Sequence, residues 1–274
     1  LLNRATQGLY PPGSTFKILT TLEYLREFPN DYMNYTYDCQ GSMSQGDVTI
    51  KCYDYEVHGF EDLQGSFQHS CNTSFANIGL QLDNDKFAQM CESVMFNGKL
   101  PTVLPYSSSQ FTLNGNSSVG ETMQTAIGQG DTLVSPFHMA MIVSAVANDG
   151  VLMTPYFVDH IENSDGIKVS DTKAIQYKKL MESDEARILN EYMQSVVNGG
   201  TASSLSGMGY SVAGKTGSAE YEVNGNTGSE DNFSTHSWFV GFSNAEMDQF
   251  STASLITRST NDIQQIQMVS VLLL

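Results

Sequence analysis

The sequence predicts an α+β fold, in which a series of helices is followed by a strand hairpin. In the first helix, FKILTTLEYL repeats its apolar residues at helical spacing. The segment SPFHMAMIVSAVANDG has serine and proline where a helix begins and glycine where one ends. The segments YSVAGKTGSAEYEV and STHSWFVGF alternate like strands and are joined by a polar connection, which is typical of a hairpin.

The first helix is predicted over residues 14–27, and its entrance is unusual. The Pro-Pro-Gly sequence stiffens the chain, while Gly13 permits backbone angles that a side chain forbids. Ser14 is then expected at or near the N-cap. Residues three apart share a helix face, so Lys17 can lie against the Ser14 hydroxyl. A hydroxyl held at a positive helix end beside an amine is the arrangement that makes serine nucleophilic.

The remaining elements follow from caps, breakers and apolar periodicity. They are, in order, a polar stretch over 30–66 with a hairpin around Val48 to Val57, a helix beginning near Ser70, a helix closed by Gly98, a loop over 99–120, a helix capped by Ser135 and stopped by Gly150, and an amphipathic helix ended by Gly199.

Composition limits the classes of function. A chain of 274 residues can bury a full core. Its formal net charge of −17 argues against nucleic acid as a partner, because phosphate binding requires clustered lysine and arginine. There is no apolar run of about 18 residues, so the sequence predicts no membrane-spanning segment.

The four cysteines leave their pairing open. Cys39 and Cys52 flank CQGSMSQGDVTIKC and are either bridged across a hairpin or free. Cys71 and Cys91 fall in helix-like segments and are expected to be buried thiols. Without a C-x-x-C pair or clustered histidines, the sequence predicts no zinc site, and it indicates no other metal or cofactor.

Three short motifs stand in one order: Ser14–Lys17 (S-x-x-K), Ser70–Asn72 (S-x-N) and Lys215–Gly217 (K-T-G). The first two are weak alone, because Ser170–Lys173 also fits S-x-x-K and Ser259–Asn261 also fits S-x-N. K-T-G occurs once, inside a strand-like run where glycine usually marks the close approach of another backbone.

Together the motifs resemble those of penicillin-binding protein transpeptidases and serine β-lactamases. Five segments resemble class B penicillin-binding proteins, the monofunctional transpeptidases: NRATQGLYPPGSTFK, VHGFEDLQGSFQHSCNTSF, AIGQGDTLVSPFHMA, AGKTGSAE and HSWFVGF. This resemblance covers residues 1 to about 243. It implies a β-lactamase/transpeptidase-like fold, with an antiparallel sheet packed against helices and a mainly helical lobe.

The resemblance also implies a function and a location. It indicates a peptidoglycan D,D-transpeptidase that cross-links stem peptides and is covalently inhibited by β-lactams. Such an enzyme works beside a glycosyltransferase at the outer face of the bacterial cell membrane. Its N-terminal anchor would lie outside this chain.

The resemblance assigns a role to each motif residue. Ser14 would attack the penultimate D-alanine carbonyl and form an acyl-enzyme. Lys17 would take the Ser14 proton as a neutral amine, with a pKa lowered by burial beside Lys215. Ser70 would relay a proton to the leaving D-alanine, and Asn72 would hold Lys17 and the substrate amide. Lys215 would bind the terminal carboxylate.

Substrate contacts are assigned to the strand that carries K-T-G. The backbone N–H groups of Ser14 and Ser218 would form the oxyanion hole. Thr216, Gly217 and Ser218 would bind the substrate, and the edge of AGKTGSAE would pair with the peptide as an added strand.

Two segments depart from the family pattern. The first two sheet strands, which precede the nucleophile helix in this family, are expected to be absent, because thirteen residues precede Ser14. The family's last strand and helix are expected to be replaced. The segment FSTASLITRSTNDIQQIQM instead resembles a cytoplasmic helical stretch of ABC exporter transmembrane subunits. Residues 244–274 are therefore predicted to lie outside a domain formed by 1–243.

Two other functions remain open. A serine β-lactamase would need a carboxylate that activates water for deacylation, and Glu121 lies between S-x-N and K-T-G. Its context, GETMQTAIGQG, resembles the transpeptidase pattern instead. A β-lactam sensor or non-catalytic scaffold of wall synthesis is the second alternative, and three intact motifs count against it.

Overall fold

The computed structural model describes residues 2–222, 233–243, 252–259 and 267–272, and it has the predicted mixture of helices and antiparallel strands. The helices are α1 (Arg4–Gln7), α2 (Lys17–Glu27), α3 (Leu63–Gln68), α4 (Asn72–Gly79), α5 (Asn84–Ser93), α6 (Val119–Ala126), α7 (Pro136–Ala147) and α8 (Ser183–Gly199). The strands are β1 (Thr36–Cys39), β2 (Ser42–Gln45), β3 (Val48–Lys51), β4 (Gly59–Asp62), β5 (Val151–Met153), β6 (His160–Glu162), β7 (Lys168–Asp171), β8 (Gln176–Lys179), β9 (Val212–Glu222), β10 (Phe233–Ser243), β11 (Thr252–Ser259) and β12 (Gln267–Leu272).

The largest sheet among the described residues has four antiparallel strands in the order β12-β11-β10-β9. The predicted hairpin between β9 and β10 is confirmed, with Lys215 opposite Val240 and Gly217 opposite Trp238. Because β9 lies at the edge of this sheet, one side of the K-T-G strand has no strand neighbour among the strands that the structure describes.

The C-terminal segment differs from the helix implied by its resemblance to exporter subunits. Residues 252–259 and 267–272 are strands β11 and β12, and β11 pairs with β10 over seven residue pairs. The sequences TASLITRS and QMVSVL are rich in β-branched residues, which favour a sheet next to an available strand edge. The domain boundary at 243 stays a prediction, although β11 extends the sheet beyond it.

The core is built around α7, whose side chains are almost all buried. Its predicted start is confirmed: Ser135 accepts a hydrogen bond from the His138 N–H, and Pro136 occupies the first turn. Leu19 and Leu22 on α2 are also fully buried. Burying each such leucine stabilises the fold by about 1.5–3 kcal/mol. The core therefore holds the beginning of α2 in a fixed place.

Two local predictions were wrong. The hairpin expected around Val48 to Val57 is instead formed by β2 and β3, within the hairpin considered between Cys39 and Cys52, because Gly46 adopts a left-handed conformation in a tight turn between the two strands. Helix α6 begins inside the predicted loop 99–120, where Ser118 and Glu121 form a capping box. A short helix, α3, was also not predicted.

None of the helices in the described parts of the chain is long and apolar enough to cross a lipid bilayer.

Candidate active site

Ser14 lies in a short 3-10 turn, Gly13–Phe16, that leads directly into α2. The expectation of Ser14 at or near the N-cap is confirmed, since Pro12 is the N-cap and Ser14 is the second residue of the turn. The Thr15 hydroxyl donates to the Pro12 carbonyl over 2.8 Å and fixes the turn. Ser14 is half-buried just before α2, a largely buried helix, and Lys17 is the first residue of α2.

The Lys17 ammonium is fully buried and has three oxygen partners. Its Nζ donates to the Ser70 carbonyl over 2.6 Å, to Ser70 Oγ over 3.2 Å and to Asn72 Oδ1 over 2.7 Å. Burial lowers the pKa of Lys17 to about 8, although the negative charges of nearby Cys71, Cys52 and Glu61 act to raise it. The expected direction of the shift is therefore confirmed with burial as its main cause, whereas the charge effect between the two lysines is found on the pKa of Lys215.

Lys215 approaches the same hydroxyl from the sheet. This lysine lies in the middle of β9 and is fully buried, and its Nζ donates to Ser70 Oγ over 2.8 Å and to the Thr216 carbonyl over 3.2 Å. Burial, together with the charge of Lys17, holds the pKa of Lys215 well below its ordinary value. Ser70 Oγ thus links two buried amines from distant parts of the sequence.

Ser70 and Asn72 are held by the chain between α3 and α4. Ser70 has a φ of 58°, a left-handed conformation that costs a non-glycine residue about 1–2 kcal/mol. Cys71, not Ser70, caps α4, and its Sγ accepts from the Ser74 N–H over 3.4 Å. Asn72 donates to the Lys51 carbonyl over 2.9 Å, which leaves its Oδ1 directed at Lys17. A strained backbone at such a position is typical of functional sites.

Two glycines allow β9 to lie against the Ser14 turn. A Cβ on Gly217 would lie 2.9 Å from Thr15 Cγ2 and 3.1 Å from the Pro12 carbonyl oxygen. Gly13 has a φ of 53°, and a Cβ there would lie 2.4 Å from the Ser218 carbonyl oxygen. The prediction that the strand glycine permits a close backbone approach is confirmed.

Two further contacts near β9 could hardly be predicted from the sequence. The Thr201 and Thr216 hydroxyls are hydrogen-bonded to each other, and Thr201 belongs to no recognisable motif. Gln129 Nε2 donates to the Ser218 carbonyl over 3.4 Å, and its GQGD context indicated only a loop near the cleft. Ser218 itself is exposed on the edge strand, where a ligand can reach it.

Glu121 has a structural role. Its carboxylate accepts from the Ser118 N–H over 2.6 Å, and the Ser118 hydroxyl accepts from the Glu121 N–H. The hydrogen bond from the Ser118 backbone lowers the pKa of Glu121. The carboxylate that a β-lactamase mechanism would use therefore accepts a hydrogen bond that caps the start of α6.

The four cysteines are all thiols, and all four are buried. Cys39 and Cys52 are not bridged, since their sulfurs lie 3.7 Å apart and a disulfide requires about 2.05 Å. The prediction of buried thiols at Cys71 and Cys91 is confirmed.

Comparison with known families agrees with this geometry. Residues 1–268 match the family described as penicillin binding protein transpeptidase domain. The match runs past the last motif residue and through β11.

Several known proteins are similar over most of the chain. Peptidoglycan D,D-transpeptidase PbpA of Mycolicibacterium smegmatis is 27% identical over 259 residues, which cover 93% of this chain and 51% of that protein. The D,D-transpeptidase domain of a peptidoglycan glycosyltransferase from Eggerthella lenta is 29% identical, with a TM-score of 0.80, over 96% of this chain and 63% of that one. The penicillin G acyl-enzyme of penicillin-binding protein A from Mycobacterium tuberculosis is 26% identical, with a TM-score of 0.77, over 93% of this chain and 57% of that one. The chain has the fold of these transpeptidases and spans about half the length of its curated mycobacterial relative.

Proposed function

Because the chain belongs to the penicillin-binding protein transpeptidase family, we propose that it is a peptidoglycan D,D-transpeptidase acting through an acyl-enzyme on Ser14. The observation that carries this proposal is the hydrogen-bonded group at Ser70, whose hydroxyl accepts from both Lys17 and Lys215. That group brings together one residue from each of the three motifs, and Lys17 directly follows the turn that contains Ser14.

Acylation begins with the attack of Ser14 Oγ on the carbonyl carbon of the penultimate D-alanine. Lys17 in its neutral form takes the hydroxyl proton, and its pKa of about 8 makes that form accessible near neutral pH. The backbone N–H groups of Ser14 and Ser218 stabilise the oxyanion. The carbonyl–nitrogen bond then breaks, and Ser70 passes its proton to the departing amine of D-alanine and takes the proton held by Lys17, to which it is hydrogen-bonded.

Cross-linking regenerates the serine. The amine of a second stem peptide attacks the acyl-enzyme carbon, the ester bond to Ser14 breaks, and the proton lost by the attacking amine passes to Ser14 Oγ. The edge of β9 that has no neighbour among the described strands offers backbone groups for pairing with the donor peptide as an added strand. Before acylation, Lys215 and Thr216 bind the carboxylate of the donor's terminal D-alanine, and Gly217 leaves room for the close approach of the peptide.

The wider setting follows from the same family membership. The proposed substrates are peptidoglycan stem peptides, and β-lactams act as covalent inhibitors because their ring carbonyl takes the place of the peptide carbonyl. The proposed location is the outer face of the bacterial membrane, anchored by a segment outside this chain, with a glycosyltransferase as partner. Residues 1–243 hold every proposed site residue.

Intact-mass measurement of the chain during incubation with benzylpenicillin tests the proposal. We expect one persistent penicilloyl adduct on the wild-type chain and none on Ser14→Ala. Ser170→Ala is the matched control, because Ser170 belongs to the second S-x-x-K sequence and lies exposed in β7.

The pattern of adducts decides the outcome. An adduct that survives Ser14→Ala contradicts the assignment of the nucleophile. An adduct that forms and then disappears within minutes supports the β-lactamase alternative instead. A folded wild-type chain that forms no adduct contradicts the proposed activity.

A further inference from the structure

Three cysteines and a histidine converge beside the S-x-N motif. Cys39 is the last residue of β1, Cys52 follows β3, His58 precedes β4, and Cys71 caps α4. One ligand atom from each of the four lies within 4.8 Å of every other. The sequence predicted no zinc site because these residues share no short spacing, and folding brings them together from four separate segments.

The distances within this cluster fit a single tetrahedral ion. A zinc ion with Zn–S bonds of about 2.3 Å holds its sulfur ligands about 3.8 Å apart. The Cys39 and Cys52 sulfurs lie 3.7 Å apart, and the Cys52 and Cys71 sulfurs lie 3.8 Å apart. His58 Nδ1 lies 3.3 Å from Cys39 Sγ, close to the separation of about 3.6 Å that the same ion gives a sulfur and a nitrogen. We propose that Cys39, Cys52, His58 and Cys71 bind one structural zinc ion.

The chemistry of the ligands supports zinc over other cations. Three thiolates and one imidazole form one of the common ligand sets of closed structural zinc sites. Soft sulfur ligands disfavour magnesium and calcium, which bind oxygen. All three sulfurs are buried, and the His58 side chain is 8% exposed, so the site has no open position for substrate.

The surroundings of the cluster are those of bound thiolates. The Thr73 hydroxyl donates to Cys39 Sγ over 3.2 Å, and the Ser74 N–H donates to Cys71 Sγ over 3.4 Å. His58 turns Nδ1 toward the cluster, and its Nε2 lies 3.6 Å from a carboxylate oxygen of Glu56. A carboxylate behind a histidine is the usual means of orienting the ring toward a metal. Zinc binding displaces three thiol protons to solvent. The ion and its three thiolates then carry a net charge of −1, which the Thr73 hydroxyl and the Ser74 N–H stabilise.

The site explains how the S-x-N segment is held in a strained conformation. Cys71 lies between Ser70, with its left-handed backbone, and Asn72, which contacts Lys17. A metal on Cys71 ties this segment to β1, β3 and β4, none of which belongs to the four-stranded sheet. The ion therefore positions Ser70 and Asn72 without touching the reacting atoms.

Metal analysis of the purified wild-type chain is the direct test. We expect about one zinc ion per chain after purification under reducing conditions and removal of loosely bound metal. Replacing zinc by cobalt should give the intense visible bands of tetrahedral Co²⁺ and a thiolate-to-cobalt charge-transfer band. A wild-type chain that binds neither ion overturns the proposal. So does a mass lower by two hydrogens without metal, which would show a disulfide.

Variants identify the ligands. Cys52→Ser should reduce zinc to below about one tenth of an ion per chain, while His58→Cys should keep zinc with an altered cobalt charge-transfer band. Cys91→Ser is the matched control, because Cys91 is a buried thiol in α5 away from the cluster. Equal zinc in Cys52→Ser and the wild type overturns the proposal. If Cys52→Ser does not fold, the His58→Cys spectrum decides, and a spectrum identical to that of the wild type excludes His58 as a ligand and overturns the proposed set.

Discussion

Lys17 and Lys215 donate hydrogen bonds to the same atom, Ser70 Oγ, over 3.2 Å and 2.8 Å. Both lysines are fully buried, so the two positive charges repel each other where water cannot screen them. Burial lowers the pKa of each, and the charge of Lys17 lowers that of Lys215 further. The arrangement favours a neutral amine on one of them, which general-base catalysis at Ser14 requires.

The rate of acylation should therefore depend on pH through Lys17. Only the neutral amine accepts the Ser14 proton, so acylation by a fluorescent penicillin should rise about tenfold per pH unit below 8. Above pH 8 the rate should level off, because the amine is already neutral. The measurement is the second-order acylation rate constant between pH 6 and pH 9, with the thermal midpoint recorded at each pH. A flat profile over a folded protein would exclude Lys17 as the base.

The Ser70 hydroxyl should matter for chemistry and not only for folding. Ser70→Ala removes the acceptor shared by both amines, and we expect acylation to slow by about 100-fold or more. Ser70→Gly removes the same hydroxyl but relieves the left-handed strain at φ 58°. The two variants should be equally slow, while Ser70→Gly should be more stable than Ser70→Ala by about 1 kcal/mol. Acylation that recovers in Ser70→Gly would assign the defect to backbone strain.

Local patterns could be predicted from the sequence, and contacts between distant segments could not. The start of α7 was predictable because Ser135 and Pro136 act within one turn. K-T-G was placed on the correct strand because alternation is also local. The sharing of Ser70 Oγ and the gathering of Cys39 and Cys71 depend on how separate elements pack, and no spacing in the sequence encodes them.

The close approach of β9 to the nucleophile turn gives a steric prediction. In Gly217→Ala the new Cβ would lie 2.9 Å from Thr15 Cγ2 and 3.0 Å from the Thr15 backbone nitrogen. The strand must then move away, and we expect a loss of about 1–3 kcal/mol in stability together with slower acylation. Gly209→Ala is the control, since a Cβ there meets no atom within 4 Å. Wild-type stability and acylation in Gly217→Ala would contradict the described approach.

Glu121 should not control the lifetime of the acyl-enzyme. Its carboxylate caps α6 through the Ser118 N–H, so Glu121→Gln should lower the thermal midpoint slightly and leave the decay of the penicilloyl adduct unchanged. Following the adduct by intact mass over several hours measures that decay. A large increase in adduct lifetime in Glu121→Gln would favour a water-activating role and the β-lactamase alternative.

The C-terminal strands provide a test of where the domain ends. All proposed site residues precede residue 243, but β10 is hydrogen-bonded to β11 over seven residue pairs. A chain ending at Ser243 leaves β9 and β10 as a two-stranded hairpin, which is marginal alone, and exposes the edge of β10. We expect this chain to have a lower thermal midpoint and slower acylation than a chain ending at residue 266, which keeps β11 and removes β12. Equal stability and acylation in the two truncated chains and the wild type would instead support the boundary predicted at 243.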